Sequence, residues 1–136
     1  MYKVLVRVAP STIDGNGVFT QQDISKDSIV WLFTNGHDHT MTDDEHAALS
    51  NAERDRLDKT GYLSPWTNLW VFPPENDSAQ YTNHSKENNL SVLYDKNISP
   101  EPYFVANRDI KTGEELTNNY HEFDKITRET RPKWAS

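Results

Sequence analysis

Tyr103-Phe104-Val105-Ala106-Asn107-Arg108-Asp109-Ile110-Lys111-Thr112-Gly113-Glu114-Glu115-Leu116-Thr117-Asn118-Asn119-Tyr120 reads as strand, turn and strand. Tyr103 to Ala106 is rich in β-favouring residues, Asp109 to Gly113 carries turn residues, and Glu115 to Asn119 resumes a strand that ends on a tyrosine. An earlier stretch echoes it. Val18-Phe19-Thr20-Gln21-Gln22-Asp23-Ile24 matches Phe104 to Ile110, and a Lys-containing turn follows each copy. One strand-turn-strand unit is therefore used twice. Two separated copies are too few for a solenoid, and no linker divides them, so the chain reads as one domain.

Outward from this pair the pattern stays β. Tyr2, Val4, Val6 and Val8 alternate with Lys3, Leu5 and Arg7, the period of a half-buried strand. Asp14-Gly15 and Asn16-Gly17 are turn dipeptides; Ser28 to Phe33, Asn68 to Phe72 and Leu90 to Tyr94 read as further strands. Thr42-Asp43-Asp44-Glu45 and Ser50-Asn51-Ala52-Glu53 are capping-box patterns. They predict a helix from Asp43 to Lys59, broken near Ser50 and stopped by Gly61, with a narrow buried stripe of Ala47, Ala48, Leu49, Ala52 and Leu57. The fold class is mostly β with a short helical insert at about 43–60.

Composition narrows the chemistry. The 136 residues include 21 acidic and 14 basic side chains, a formal charge of −7, with four Trp, six Tyr and five Phe to close a core poor in aliphatics. The absence of Cys excludes a disulfide scaffold, a zinc-cysteine site and a thiol nucleophile. An acidic chain with scattered Lys and Arg repels phosphate backbones and suits a basic partner, so direct nucleic-acid binding is not expected. No apolar run is long enough for a membrane span and no leader is visible, which predicts an intracellular protein, cytoplasmic or nuclear, that is neither secreted nor membrane-bound.

Single motifs permit plain readings. Gly15-Asn16-Gly17 lacks the third glycine and following helix of a dinucleotide loop. Asn83-His84-Ser85 lies in a polar loop without a nucleophile elbow, and adjacent Ser and His side chains do not form a catalytic couple. His37, His39 and His46 could be solvated loop histidines or a metal cluster; the solvated reading predicts no metal site.

Taken in order, Gly15-Asn16-Gly17-Val18-Phe19, Tyr81-Thr82-Asn83-His84-Ser85 with Asn89, and Ala106 to Tyr120 resemble the SET-domain protein lysine methyltransferases. The resemblance runs from about Lys3 to Phe123. It implies a SET domain over 1–123, a β-clip-like arrangement of small curved sheets with a knot-like C-terminal crossing, and a tail at 124–136 that closes a lysine channel. It implies S-adenosylmethionine as cofactor, held by Asn16, Gly17, Asn83, His84 and Tyr120, with Val18 and Phe19 lining its approach. Tyr120 matches the catalytic tyrosine, and Tyr81, Phe123, Tyr94 and Trp134 are the candidate channel walls. The substrate would be a lysine in a basic protein segment, a histone tail or another Lys-rich protein. Gln80, Asn88 and Asn119 stand where the family often has Arg, Pro and Asp. Asn118 occupies the position of an aromatic that limits methyl number. The family's cysteine-rich segment after the domain is absent, so the tail, or a second copy in a homodimer, must close the channel. A non-catalytic peptide-binding module on the same scaffold is the alternative.

Overall fold

The structure, a computed structural model, describes residues 1–135. Its strands are β1 (Val6–Pro10), β2 (Asn16–Thr20), β3 (Ile29–Trp31), β4 (His39–Met41), β5 (Tyr62–Leu63), β6 (Trp70–Phe72), β7 (Asn83–His84), β8 (Leu90–Leu93), β9 (Tyr103–Ala106) and β10 (Glu115–Asn118). Its helices are α1 (Asp43–Ala47), α2 (Asn51–Thr60), α3 (Tyr120–Phe123) and α4 (Lys125–Thr130). The strands form three small sheets, ordered β1-β2-β10-β7, β3-β9-β8 and β4-β6-β5. The β10–β7 pairing is parallel, with Thr117 opposite Asn83 and Asn118 opposite His84; the other strand pairs are antiparallel.

The two echoed units pair with each other. Ile24 and Ile110 exchange backbone hydrogen bonds, each 2.8 Å. Asp27 N–H donates to Ala106 O at 2.7 Å, and the matching Gly113 N–H donates to Thr20 O at 2.8 Å. Asp109 Oδ1 accepts from Lys26 N–H at 2.8 Å, while Asp23 Oδ1 accepts from Thr112 N–H at 2.9 Å. Each of these bonds has its counterpart at the matching position of the other unit, which is local two-fold symmetry written in the sequence. Their apolar faces meet in the core, where Val18, Val30, Leu90, Ile110 and Leu116 are almost fully buried. A chain of edge-on rings continues it, from Trp31 to Phe104 (5.9 Å), to Phe123 (4.9 Å) and to Tyr62 (4.9 Å). Such contacts add about 0.5–1.5 kcal/mol each beyond area burial.

The helical insert forms as its caps dictate. Thr42 and Glu45 bond reciprocally at 3.1 Å, and Ser50 Oγ accepts from Glu53 N–H at 3.2 Å, so the break falls between α1 and α2. Gly61 ends α2, and a Cβ there would strike Val71 O of β6, so a glycine is needed for close backbone approach. Of the expected apolar stripe only Leu57 is buried; His46 takes the place of the alanines by stacking on Trp70 at 3.8 Å.

Two expectations change. The first strand begins at Val6, because Lys3 N–H donates to Val30 O while Val6–Pro10 pairs with β2: the chain changes partner at Leu5. Asn119 leaves the last strand to cap α3, its Oδ1 accepting from His121 N–H at 3.0 Å. The tail is docked, since α4 is capped by Asp124 and Ala135 is buried. Ser136, the last residue of the expected tail, lies outside the described residues.

Candidate functional site

The parallel register of β10 and β7 sets the Asn83-His84 pair beside the end of β10. Asn83 Nδ2 faces three acceptors: Glu115 Oε2 at 2.9 Å and the carbonyls of Asp14 and Asn16, both at 3.2 Å. That fixes the amide and leaves Oδ1 as the face open to another donor. Glu115 also accepts from Ser11 Oγ at 2.7 Å, and a Cβ at Gly17 would collide with its carboxylate. Gly17 thus leaves room for the carboxylate that binds Asn83 and Ser11. Gly15 differs: its φ of +43° is left-handed and its Cβ position faces open space.

His84 Nδ1 accepts from Tyr120 N–H at 3.1 Å, which puts the imidazole proton on Nε2. Burial lowers the His84 pKa, a nearby Ala135 carbonyl opposes that, and His121 adds to the lowering, so the ring is neutral at physiological pH. Ala135 O takes its hydrogen bond from His121 Nε2 at 2.8 Å and is not aligned with His84. Nε2–H of His84 is therefore a buried donor without a partner. Such a group costs roughly 1–3 kcal/mol unless a ligand or water satisfies it.

Tyr120 stands between two hollows. The larger, a cleft of about 760 Å³, is lined by the 14–16 turn, residues 80–84, Tyr120 and Trp134, and also by Asp58 and Lys59. Its size is within the range of cofactor pockets. The smaller, about 40 Å³, lies among Tyr2, Trp31, Tyr62, Phe104, Asn118 and Phe123. Tyr120 and Thr82 line both. Three polar atoms of the small hollow are buried without partners: Trp31 Nε1, Tyr62 Oη and Asn118 Oδ1. Burial, with a smaller contribution from Asp124, pushes the Tyr120 hydroxyl up to about 12. Its ring lies 6.3 Å from His84, 5.4 Å from Trp134 and 4.7 Å from Phe123.

The structure brings together most of the residues singled out by sequence. Asn16, Asn83, His84, Tyr120, Tyr81 and Trp134 meet in the large cleft, and Phe123 lines the small hollow. Tyr81 and Trp134, expected on the lysine channel, line the larger cleft and not the small hollow. Val18 does not line an approach: it is 0% exposed in the core. Phe19, one residue on, points to the other face of β2, under the Arg7 guanidinium at 5.5 Å. Tyr94 stacks on Trp66 at 5.8 Å and lines neither hollow. The three histidines have separate partners: His37 on Asp77 at 2.6 Å, His46 on Asp58 at 2.7 Å, His39 on the Phe72 ring. Among the described residues no group of three or more His, Asp or Glu is placed to hold a metal. Sequence reading did not find Thr82, Tyr2, Tyr62, Asp58 or Lys59. Thr82 was legible from its place inside the Tyr81-to-Ser85 motif, whereas the others arrive from distant elements with no local signal.

Comparison with known proteins agrees with this geometry. The SET domain profile matches residues 15–121. No curated protein sequence matches the chain. A candidate histone methyltransferase of Plasmodium falciparum superposes with a TM-score of 0.56 at 17% identity, over 85% of this chain and 91% of that one. A chain of an apo ctPRC2 assembly, mutated in Ezh2, gives a TM-score of 0.64 at 24% identity, over 95% of this chain and 16% of that one. At such identities the superpositions establish the shared fold.

Proposed function

The chain belongs to the SET domain family, and we propose that it is an S-adenosylmethionine-dependent protein-lysine N-methyltransferase. The observation that carries this reading is the position of Tyr120 on the wall shared by a cofactor-sized cleft and a narrow aromatic hollow. The residues of the cleft fit the cofactor. Gly15 leaves room for close approach, Asn83 Oδ1 is an open acceptor, and His84 Nε2–H is a buried donor in want of a partner. S-adenosylmethionine supplies an electrophilic methyl group on a positive sulfur.

The protein's part is to present a neutral amine to it. A free lysine has a pKa near 10.4, so at pH 8 about one molecule in 250 carries a lone pair, a deficit of about 3.3 kcal/mol. The aromatic hollow disfavours the ammonium by desolvation, and a neighbouring positive sulfur adds repulsion. Asn118 Oδ1 and the Tyr62 hydroxyl, both without partners, accept the amine N–H groups and aim the lone pair past Tyr120. The Tyr120 hydroxyl stays protonated and orients; the proton leaves to water.

A formal charge of −7 steers basic segments toward the protein, so the substrate class is a Lys-rich segment such as a histone tail. The Plasmodium neighbour's description supports that class. Two of the three departures from the family pattern have structural roles: Asn88 Nδ2 bonds Leu90 O at 2.8 Å and Asn119 caps α3. They give no reason to favour a non-catalytic module. The test is calorimetric titration with S-adenosylhomocysteine, followed by mass spectrometry of histones and Lys-rich peptides incubated with S-adenosylmethionine. Saturable binding and methyl addition are expected; absence of both refutes the reading.

A further inference from the structure

Among the described residues, the large cleft has one cationic wall residue, and it comes from the helical insert. Lys59 lies in the last turn of α2, which packs against the 78–81 turn that delivers Gln80 and Tyr81 to the same cleft. Leu57, buried, and Gly61, which ends the helix against β6, fix where that turn sits. Asp58 beside it is engaged by His46 Nε2 at 2.7 Å. Lys59 is exposed and, among the described residues, its ammonium makes no hydrogen bond or ion pair. The remaining ionisable groups of the lining are Asp14, Asp58, His84, Tyr81 and Tyr120. Gln80 is uncharged.

This charge pattern discriminates among ligand ends. S-adenosylmethionine carries an amino-acid end whose carboxylate loses water on entering a cleft and needs a cation in exchange. Asp14 and Asp58 would repel that carboxylate and suit the ammonium and the positive sulfur. With Asp14 and Asp58 against Lys59 the lining sums to −1, and the bound zwitterion with its sulfonium to +1. We infer that the helical insert takes part in cofactor binding through Lys59, whose Nζ holds the carboxylate of the amino-acid end. The inference rests on the cofactor reading above and adds a residue and an element to it.

The test compares two ligands on the full chain by calorimetry. S-adenosylhomocysteine has the amino-acid end and 5′-methylthioadenosine lacks it. Lys59→Ala is expected to weaken S-adenosylhomocysteine about five- to tenfold and to leave 5′-methylthioadenosine within about twofold. Lys59→Glu should weaken the former further, and Lys59→Arg should retain it within about threefold. The wild-type preference for S-adenosylhomocysteine should shrink as salt rises. Unchanged affinity in both Lys59→Ala and Lys59→Glu overturns the assignment while leaving the cofactor reading intact. Equal losses for the two ligands also overturn it, because they would report a disturbed cleft. A wild-type chain that binds neither ligand overturns the cofactor reading and this inference with it.

Discussion

Tyr120 is held from three sides: its N–H donates to His84 Nδ1, its ring packs on Phe123 and Trp134, and its carbonyl accepts from Asp124 N–H at 2.8 Å. A phenol so fixed can orient without moving. Its pKa, raised to about 12, means that it is protonated throughout the working range and loses its proton only above that value. On the proposed reading, rate is expected to rise with pH between about 7 and 10, and that rise belongs to the substrate amine. Tyr120→Phe is expected to lower kcat about 100-fold or more, as loss of a positioned donor does, with S-adenosylhomocysteine affinity within about twofold. Its pH–rate profile should run parallel to that of the wild type. A basic limb present in the wild type and lost in Tyr120→Phe would make the phenol a proton acceptor and refute the orienting role. This residue was legible in sequence through the resemblance of the motif it ends to the SET-domain family; the strand pattern alone reads as a core tyrosine. Lys59 and Tyr62 were not, since their meaning lies in which distant residues they face.

Among the elements, the ones with their instructions close by in sequence were readable. Thr42 to Glu45 contains both halves of its cap and Ser50 accepts from Glu53 N–H, so the insert's two helices and the break between them follow from a few consecutive residues. Strands β4, β5 and β7, two or three residues each, carry no period long enough to detect; they exist because a partner edge is near. The echoed turns are the intermediate case, visible as a repeat but informative only once paired. Their matching positions make opposite predictions. Gly113 has φ +93° and open space at its Cβ position, so Gly113→Ala should cost about 1–2 kcal/mol through backbone strain alone. Asp27, at the equivalent place with φ +72°, already bears that strain, so Asp27→Gly should be neutral or stabilising by about 0.5 kcal/mol. Urea unfolding of both variants checks this. A loss of similar size in each would show that the two turns are not equivalent.

At the scale of the molecule, the cleft draws on residues from 13 to 134, so the insert, the paired units and the tail must all be docked before it exists. Asp124 is the joint. Its Oδ1 accepts from Leu63 N–H at 3.0 Å in β5, beyond the insert helices; its Oδ2 accepts from Thr127 N–H at 3.2 Å and Thr127 Oγ at 2.6 Å in the tail. The side chain is buried, so Asp124→Ala strands these donors and is expected to cost about 2–4 kcal/mol. The loss should not be uniform. The β2–β10 pairing and the reciprocal Ile24–Ile110 bonds make no use of Asp124. Hydrogen exchange should therefore show protection falling at Leu63 and across 125–130 while amides of β2 and β10 keep theirs. Affinity for S-adenosylhomocysteine should fall with the tail, because Trp134 walls the cleft from that side. Uniform loss of protection would mean that insert, sheets and tail unfold as one unit. Unchanged protection at Leu63 would mean that the insert holds its place without the tail, and the joint would have to be sought elsewhere.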